Sequence, residues 1–229
     1  MLQTFGEGIW LADGPSTDVA GFRYPTRAAI IQLTGGGLLV LSPVSLSGGL
    51  RAAVEALGEV RTIVAPNSLH HLFLAEWEAA WPDARLVAPP GLRKRRRDLV
   101  FDGDLVDIPD PAWADELDQV IVHGNLITSE VVFFHRSSRT TIFTDLIQHF
   151  DPSWFTGWRA VVAGLDLMTA PEPETPRKFR FAFVDRRAAR AAISRILAWP
   201  TENVLMAHAP PIRGDGQAFI RRAFAWLTA

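Results

Sequence analysis

Thr62-Ile63-Val64-Ala65-Pro66-Asn67-Ser68-Leu69-His70-His71 is the stretch on which the reading of this chain turns. Its β-branched and apolar start, stopped by Pro-Asn-Ser, describes a buried strand running out into a loop. The adjacent histidines His70 and His71 therefore sit just past a strand end. Three further candidate ligands occupy similar places. His123 follows Val120-Ile121-Val122, Asp145 follows Thr141-Ile142-Phe143-Thr144, and His208 follows Val204-Leu205-Met206-Ala207. Strand ends are where an α/β fold gathers polar side chains from distant parts of the chain into one cleft. Four histidines and a carboxylate at such places point to a metal centre.

Working outward, the pattern alternates strands and helices. Gly8 to Ala12 reads as a short strand broken by Asp13-Gly14-Pro15-Ser16. Ala28–Leu33 and Gly37–Leu41 flank Thr34-Gly35-Gly36, a hairpin signal. Helical spacing covers residues 45–57, with Ser47 as a cap and Leu50, Val54 and Leu57 on one face. A second helix is predicted over 71–81 with Leu72, Leu74, Ala75 and Trp77 inward, then a strand at 85–88. Glu130–His135 and Arg139–Thr144 form a second hairpin ending in Asp145. The Pro-rich, charged residues 171–180 read as a loop or lid, and Asp185 caps a helix reaching Trp199. Residues 204–207 and 217–227 close the chain as strand and helix. This predicts an α/β layered fold of one domain spanning 1–229, with internal pseudo-symmetry.

Composition narrows the chemistry. The 229 residues have a formal net charge of −2 and are 48% hydrophobic, with no global field favouring nucleic acid or a membrane surface. There is no cysteine, so any metal must be held by nitrogen and oxygen. No apolar run approaches the roughly 20 residues of a membrane span. Met1 to Glu7 lacks the charged-then-apolar pattern of a signal peptide, and the expected compartment is the cytoplasm.

These residues resemble the metallo-β-lactamase superfamily, a four-layer αββα sandwich with metals along one edge between its sheets. The family's His-x-His-x-Asp-His motif, which follows a strand, is matched by Pro66-Asn67-Ser68-Leu69-His70-His71. His123, Asp145 and His208 match the later histidine, carboxylate and final histidine. The resemblance covers nearly the whole chain. Ala65-Pro66-Asn67-Ser68-Leu69-His70-His71, Pro89-Pro90-Gly91-Leu92 and Phe133-Phe134-His135-Arg136-Ser137-Ser138-Arg139 are also similar to a branch grouped as a domain of unknown function.

The departures matter as much as the matches. The family's first metal site is built by the two histidines replaced here by Pro66 and Ser68, together with the one matched by His123. The second survives as His71, His208 and Asp145, with His70 in place of an aspartate; imidazole is a competent ligand for several divalent metals. The resemblance thus implies one divalent metal, zinc first, then iron or manganese, held by His70, His71, Asp145 and His208. It implies a hydrolase of a small-molecule ester, amide or phosphoester, with His70, Asp145 and His123 serving the reaction. The alternative is a metal-poor, non-catalytic binding or scaffold protein, and an iron oxygenase shares the same ligands.

Other features read more plainly. His135 is expected in the core, and Trp154-Phe155-Thr156-Gly157-Trp158 as packing or a pocket wall. His149, four residues after Asp145, shares its face if that segment is helical. Arg93-Lys94-Arg95-Arg96-Arg97 is a solvated run, offset by Asp98, Asp102 and Asp104, with anion binding near the cleft as the sharper reading.

Overall fold

The computed structural model describes residues 2–228. Two sheets lie face to face. The larger has the order β1 (Leu2–Gly6), β2 (Ile9–Val19), β3 (Phe22–Gln32), β4 (Gly37–Leu41), β5 (Glu59–Val64), β6 (Arg85–Ala88) and β7 (Gly103–Asp104). It is antiparallel from β1 to β4 and parallel from β4 to β7. The smaller sheet runs β11 (Asn203–His208), β10 (Thr140–Gln148), β9 (Glu130–His135) and β8 (Leu117–Val122), with β10 parallel to β11.

Side-chain alternation assigns the faces. Ile9, Leu11, Ile31, Leu39, Leu41 and Val64 meet Leu117, Ile121, Val131, Phe133, Ile142 and Leu205 in a core between the sheets. The other face of the larger sheet, with Ile30, Leu38, Val40 and Ile63, is covered by α1 (Gly48–Glu55), α2 (Leu74–Ala80) and α3 (Leu92–Arg95). The other face of the smaller sheet packs on α6 (Arg186–Ile196), α7 (Gly216–Ala223) and α8 (Ala225–Thr228). Helices, sheet, sheet, helices: this is the expected four-layer αββα sandwich. Strands covered on both faces, such as β4 and β10, therefore read as unbroken buried runs. The sheets have seven and four strands, so the halves are less alike than the pseudo-symmetry expected from the sequence.

The local signals worked where they had a partner. Ser47 Oγ accepts from Leu50 N at 3.2 Å and Asp185 Oδ1 from Ala188 N at 2.9 Å, capping α1 and α6. Gly35 and Gly36, with φ of 90° and 84°, make the β3–β4 turn without a Cβ penalty.

Elsewhere tertiary context overrode them. Asp13 to Ser16 lies inside β2, where a register shift between Gly14 and Thr17 absorbs the breakers as a bulge. The second helix begins at Leu74, not His71, and Leu72 is 51% exposed. Residues 177–182 are helical: α5 (Arg177–Ala182) starts just after Pro176, whose fixed φ suits a helix entrance. β10 continues through Gln148, so Asp145 lies within a strand and His149 shares no helical face with it. No described helix is long and apolar enough to cross a membrane.

Candidate metal centre

The loop leaving β5 is folded around Asn67, a fully buried side chain. Its Oδ1 accepts from Leu69 N at 2.7 Å and His70 N at 3.2 Å, an Asx-type turn that fixes the backbone at His70. Its Nδ2 crosses to the other sheet, donating to Asp145 Oδ2 at 2.7 Å and Thr144 Oγ1 at 2.9 Å. One amide thus positions the loop and the carboxylate together.

Asp145 is braced from below by Glu130. The Glu130 carboxyl accepts from the backbone of Thr144 at 2.8 Å, Asp145 at 2.7 Å and Leu146 at 3.0 Å. Burial and the charge of Asp145 push the Glu130 carboxyl upward against these hydrogen bonds. His208 ends β11, the parallel neighbour of β10, and Gln148 Nε2 contacts Asp145 Oδ1 at 3.4 Å. On the far side Ser42 Oγ meets His70 Nδ1 at 2.7 Å. Ser42 is held at a φ of 55°, a strained conformation for a residue with a Cβ, where β4 ends.

These elements bring together His70, Asp145 and His208, with one ligand atom from each lying within 4.8 Å of the others. His70 Nε2 is 3.0 Å from Asp145 Oδ2 and His208 Nε2 is 3.4 Å from Asp145 Oδ1. Burial opposes a charge on His70, but Asp145, with help from Glu130, outweighs it and raises its pKa. Burial lowers that of His208, and the charge on His70 adds to the effect. Asp145 is held well below the usual carboxylate range because both histidines outweigh its burial.

The residues fit a cation. His208 Nδ1 lies 2.8 Å from the Pro25 carbonyl oxygen, which can only accept. A neutral His208 therefore carries its proton on Nδ1 and aims the lone pair of Nε2 at a carboxylate oxygen. Two lone pairs facing each other are stabilised by a positive charge between them, either a proton or a metal ion. A backbone carbonyl fixing the tautomer of a histidine is also how metal ligands are oriented. Two imidazoles and a carboxylate suit zinc or iron with coordination positions left open.

Other expected residues lie elsewhere. His71 is outside the group of three: Arg96 Nη1 approaches its Nδ1 at 3.3 Å, and burial with Arg95 and Arg96 pushes its pKa below the ordinary value. The same guanidinium donates to the His71 carbonyl at 2.6 Å. His123 is exposed at the end of β8, also outside the group. His135 is buried, between Ser138 Oγ at 2.7 Å and Ser137 Oγ at 3.2 Å.

At Pro66 and Ser68, two positions matched from sequence to absent ligands, this chain has a seam. The Pro66 carbonyl accepts from Val131 N at 2.8 Å, and Ser68 Oγ pairs with Thr128 Oγ1 at 3.0 Å. Both join the larger sheet's loop to the smaller sheet's half. In the basic run, Arg93 pairs with Asp104 and Arg96 with Asp98, while Arg95 donates to the Ser68 carbonyl at 3.2 Å.

A cavity of about 430 Å³ opens over the three residues. His70, Asp145 and His208 contribute to its lining, and Val19, Phe22, Leu72, Ile127, Val162 and Phe179 give it apolar walls. Asn67 and Glu130 were not singled out from sequence. Asn67 read as part of the Pro-Asn-Ser stop and Glu130 as the first residue of a strand.

An αββα sandwich with a histidine–carboxylate cluster where its two sheets meet at an edge is the architecture of the metallo-β-lactamase fold. Within it, the chain belongs to the family described as Domain of unknown function (DUF4336), whose model matches residues 7–156. Among solved structures it is similar to a metallo-β-lactamase from Pontibacter korlensis, with 13% identity over 99% of this chain and 98% of that one and a TM-score of 0.67. A metallo-β-lactamase from Hirschia baltica matches at 13% identity, over 100% and 97%, with a TM-score of 0.64. The metallo-β-lactamase FIM-1 from Pseudomonas aeruginosa in its mono-zinc form matches at 10%, over 100% and 92%, with a TM-score of 0.63. At these identities the likeness establishes the fold alone. No curated protein matches the sequence.

Proposed function

We propose that the protein is a single-metal hydrolase, with one divalent cation held by His70, Asp145 and His208. Zinc is the first choice, with iron or manganese the alternatives, and the substrate is a small-molecule ester, amide or phosphoester. The observation that carries this is the Pro25 carbonyl, which turns the lone pair of His208 toward Asp145. A cation so held lowers the pKa of a bound water toward about 7 and so supplies a nucleophile at neutral pH. The chain's own residues do the rest. Asn67 and Glu130 hold the carboxylate in place, Ser42 orients His70, and the cavity admits substrate while excluding bulk water. His123 has no role at the centre in this reading, and the expected ligand set contracts from four residues to three. With no cysteine to oxidise, the working compartment we infer is the cytoplasm.

A second reading has its own observation. The His70–Asp145 contact at 3.0 Å closes the cluster as an ion pair without any metal, and Pro66 and Ser68 supply no ligand. A metal-poor binding protein would need nothing more. Elemental analysis of the purified protein beside His208→Ala separates the two. About one zinc, iron or manganese per chain, lost in the variant, supports the hydrolase; no metal in either, with both folded, removes it.

A further inference from the structure

Besides the cluster, the cavity is lined by Ser42, His71, Arg95 and a polar group centred on Lys178, and the hydrogen bonding of that last group is incomplete. Lys178, from α5, reaches the wall and divides its three N–H donors among Asp166 Oδ2 at 3.1 Å, Tyr24 Oη at 3.1 Å and Gln148 Oε1 at 3.5 Å. Burial works against its charge, but Tyr24 and Asp166 outweigh it, so Lys178 stays an ammonium. Tyr24 Oη is thereby an acceptor, and among the described residues its own proton finds no acceptor. The Tyr24 ring stands edge-on to His208, with centroids 5.4 Å apart, and Gln148 links Lys178 to Asp145. A hydroxyl donor polarised by an ammonium, on a ring packed against His208, thus stands in the lining of a chamber whose walls are mostly apolar.

The walls carry the second observation. Val19, Leu72, Ile127 and Val162 line the cavity yet are 51%, 51%, 40% and 41% exposed. Val162 belongs to the exposed stripe Trp158, Val161, Val162 and Leu165 of α4 (Trp158–Leu165), at i, i+3, i+4 and i+7. An apolar lining that continues outward through its own mouth suits a ligand with an apolar body longer than the chamber.

We infer that the cavity is an acyl site: it takes the ester of an apolar carboxylic acid, with the acyl chain along these walls and the carbonyl oxygen accepting from Tyr24 Oη–H. This rests on the hydrolase reading for the reaction but not for the binding. In the reaction, the oxygen of water bonds to the acyl carbon and the acyl–oxygen bond of the ester breaks. One proton of that water goes to the departing alcohol and the other to the medium, leaving a carboxylate. Tyr24 touches the substrate, and Lys178 is a positioning residue that acts through Tyr24.

The test uses the carboxylate product. Decanoate and acetate are titrated against the protein and His208→Ala, followed by calorimetry. Each methylene removed from water strengthens binding roughly fourfold at best, so decanoate is expected to bind at least tenfold more tightly than acetate in both proteins. Val162→Asp and Leu72→Asp, at exposed positions that leave the core intact, each weaken decanoate tenfold or more. Tyr24→Phe lowers kcat on a nitrophenyl decanoate ester more than it raises KM. Equal affinity for decanoate and acetate, or decanoate binding unchanged in both aspartate variants, overturns the acyl site. Chain-dependent binding without hydrolysis of any ester leaves the acyl site standing and sinks the hydrolase. Hydrolysis with no dependence of kcat/KM on acyl length does the reverse.

Discussion

The loop after β5 and the paired strands β10 and β11 reach the same edge from opposite sheets, and they contribute to it in different ways. On the strand side, Asp145 and His208 face each other with the groups that aim them. Glu130 lies beneath the carboxylate and the Pro25 carbonyl behind the imidazole. On the loop side, Pro66 and Ser68 hold the halves together through a carbonyl and a hydroxyl, while Asn67 and His70 face the carboxylate. Backbone pairing survives a change of side chain, whereas coordination requires a lone pair on each side chain involved. One edge can therefore be a structural seam on one side and a cluster of donor side chains on the other.

The largest test of that contrast is Asp145→Asn, which keeps the shape and removes the charge. Metal content should fall from about one per chain to near zero, measured by elemental analysis. Glu130→Ala should come next. It leaves the backbone N–H groups of Thr144, Asp145 and Leu146 without their buried acceptor and should cost about 4 kcal/mol. For a chain of this size that lowers the melting temperature by roughly 10 °C, and unchanged melting would mean that Glu130 does not brace the strand.

A smaller effect concerns protons. In chelator-treated protein, His70 binds its proton more tightly folded than unfolded. Its contribution is therefore full below its ordinary value of about 6.5 and is lost as pH rises through the higher folded value. Asp145 contributes above its ordinary value of about 3.9, and that share is lost as pH falls through its depressed folded value. Urea denaturation should show His70→Asn losing more stability, relative to the parent, at pH 5 than at pH 8. An equal loss at both would remove the ion pair.

Two substitutions should do almost nothing, and that sharpens the comparison. Ser68→His adds a donor to the seam, yet metal should stay near one per chain, since Pro66 still offers no lone pair from a side chain. A second equivalent of metal would show that the seam is still a site. His123→Ala, at an exposed position, should leave metal content unchanged and stability within about 0.5 kcal/mol.

Much of the fold was legible because its signals are local: β-branched runs for strands covered on both faces, Ser47 and Asp185 for helix starts, paired glycines for a turn. What was misread had its cause elsewhere in the chain. Gly14 and Pro15 read as breakers because a bulge is visible only against the partner strand. Asp145 read as a strand end because a carboxylate interrupts the apolar run, and the partners that let it stay buried, Asn67 and His70, come from the other sheet's loop.

The sequence by itself determined the αββα class, the donor types and their order along the chain. Nitrogen and oxygen ligands followed from composition, and the strand ends from periodicity. Only the tertiary structure decided which donors meet. Whether His71 or His70 faces Asp145 depends on how Asn67 turns one backbone segment and on where Arg96 lies. A pairing between residues 70, 145 and 208 depends on packing between two sheets, which no single stretch of sequence contains.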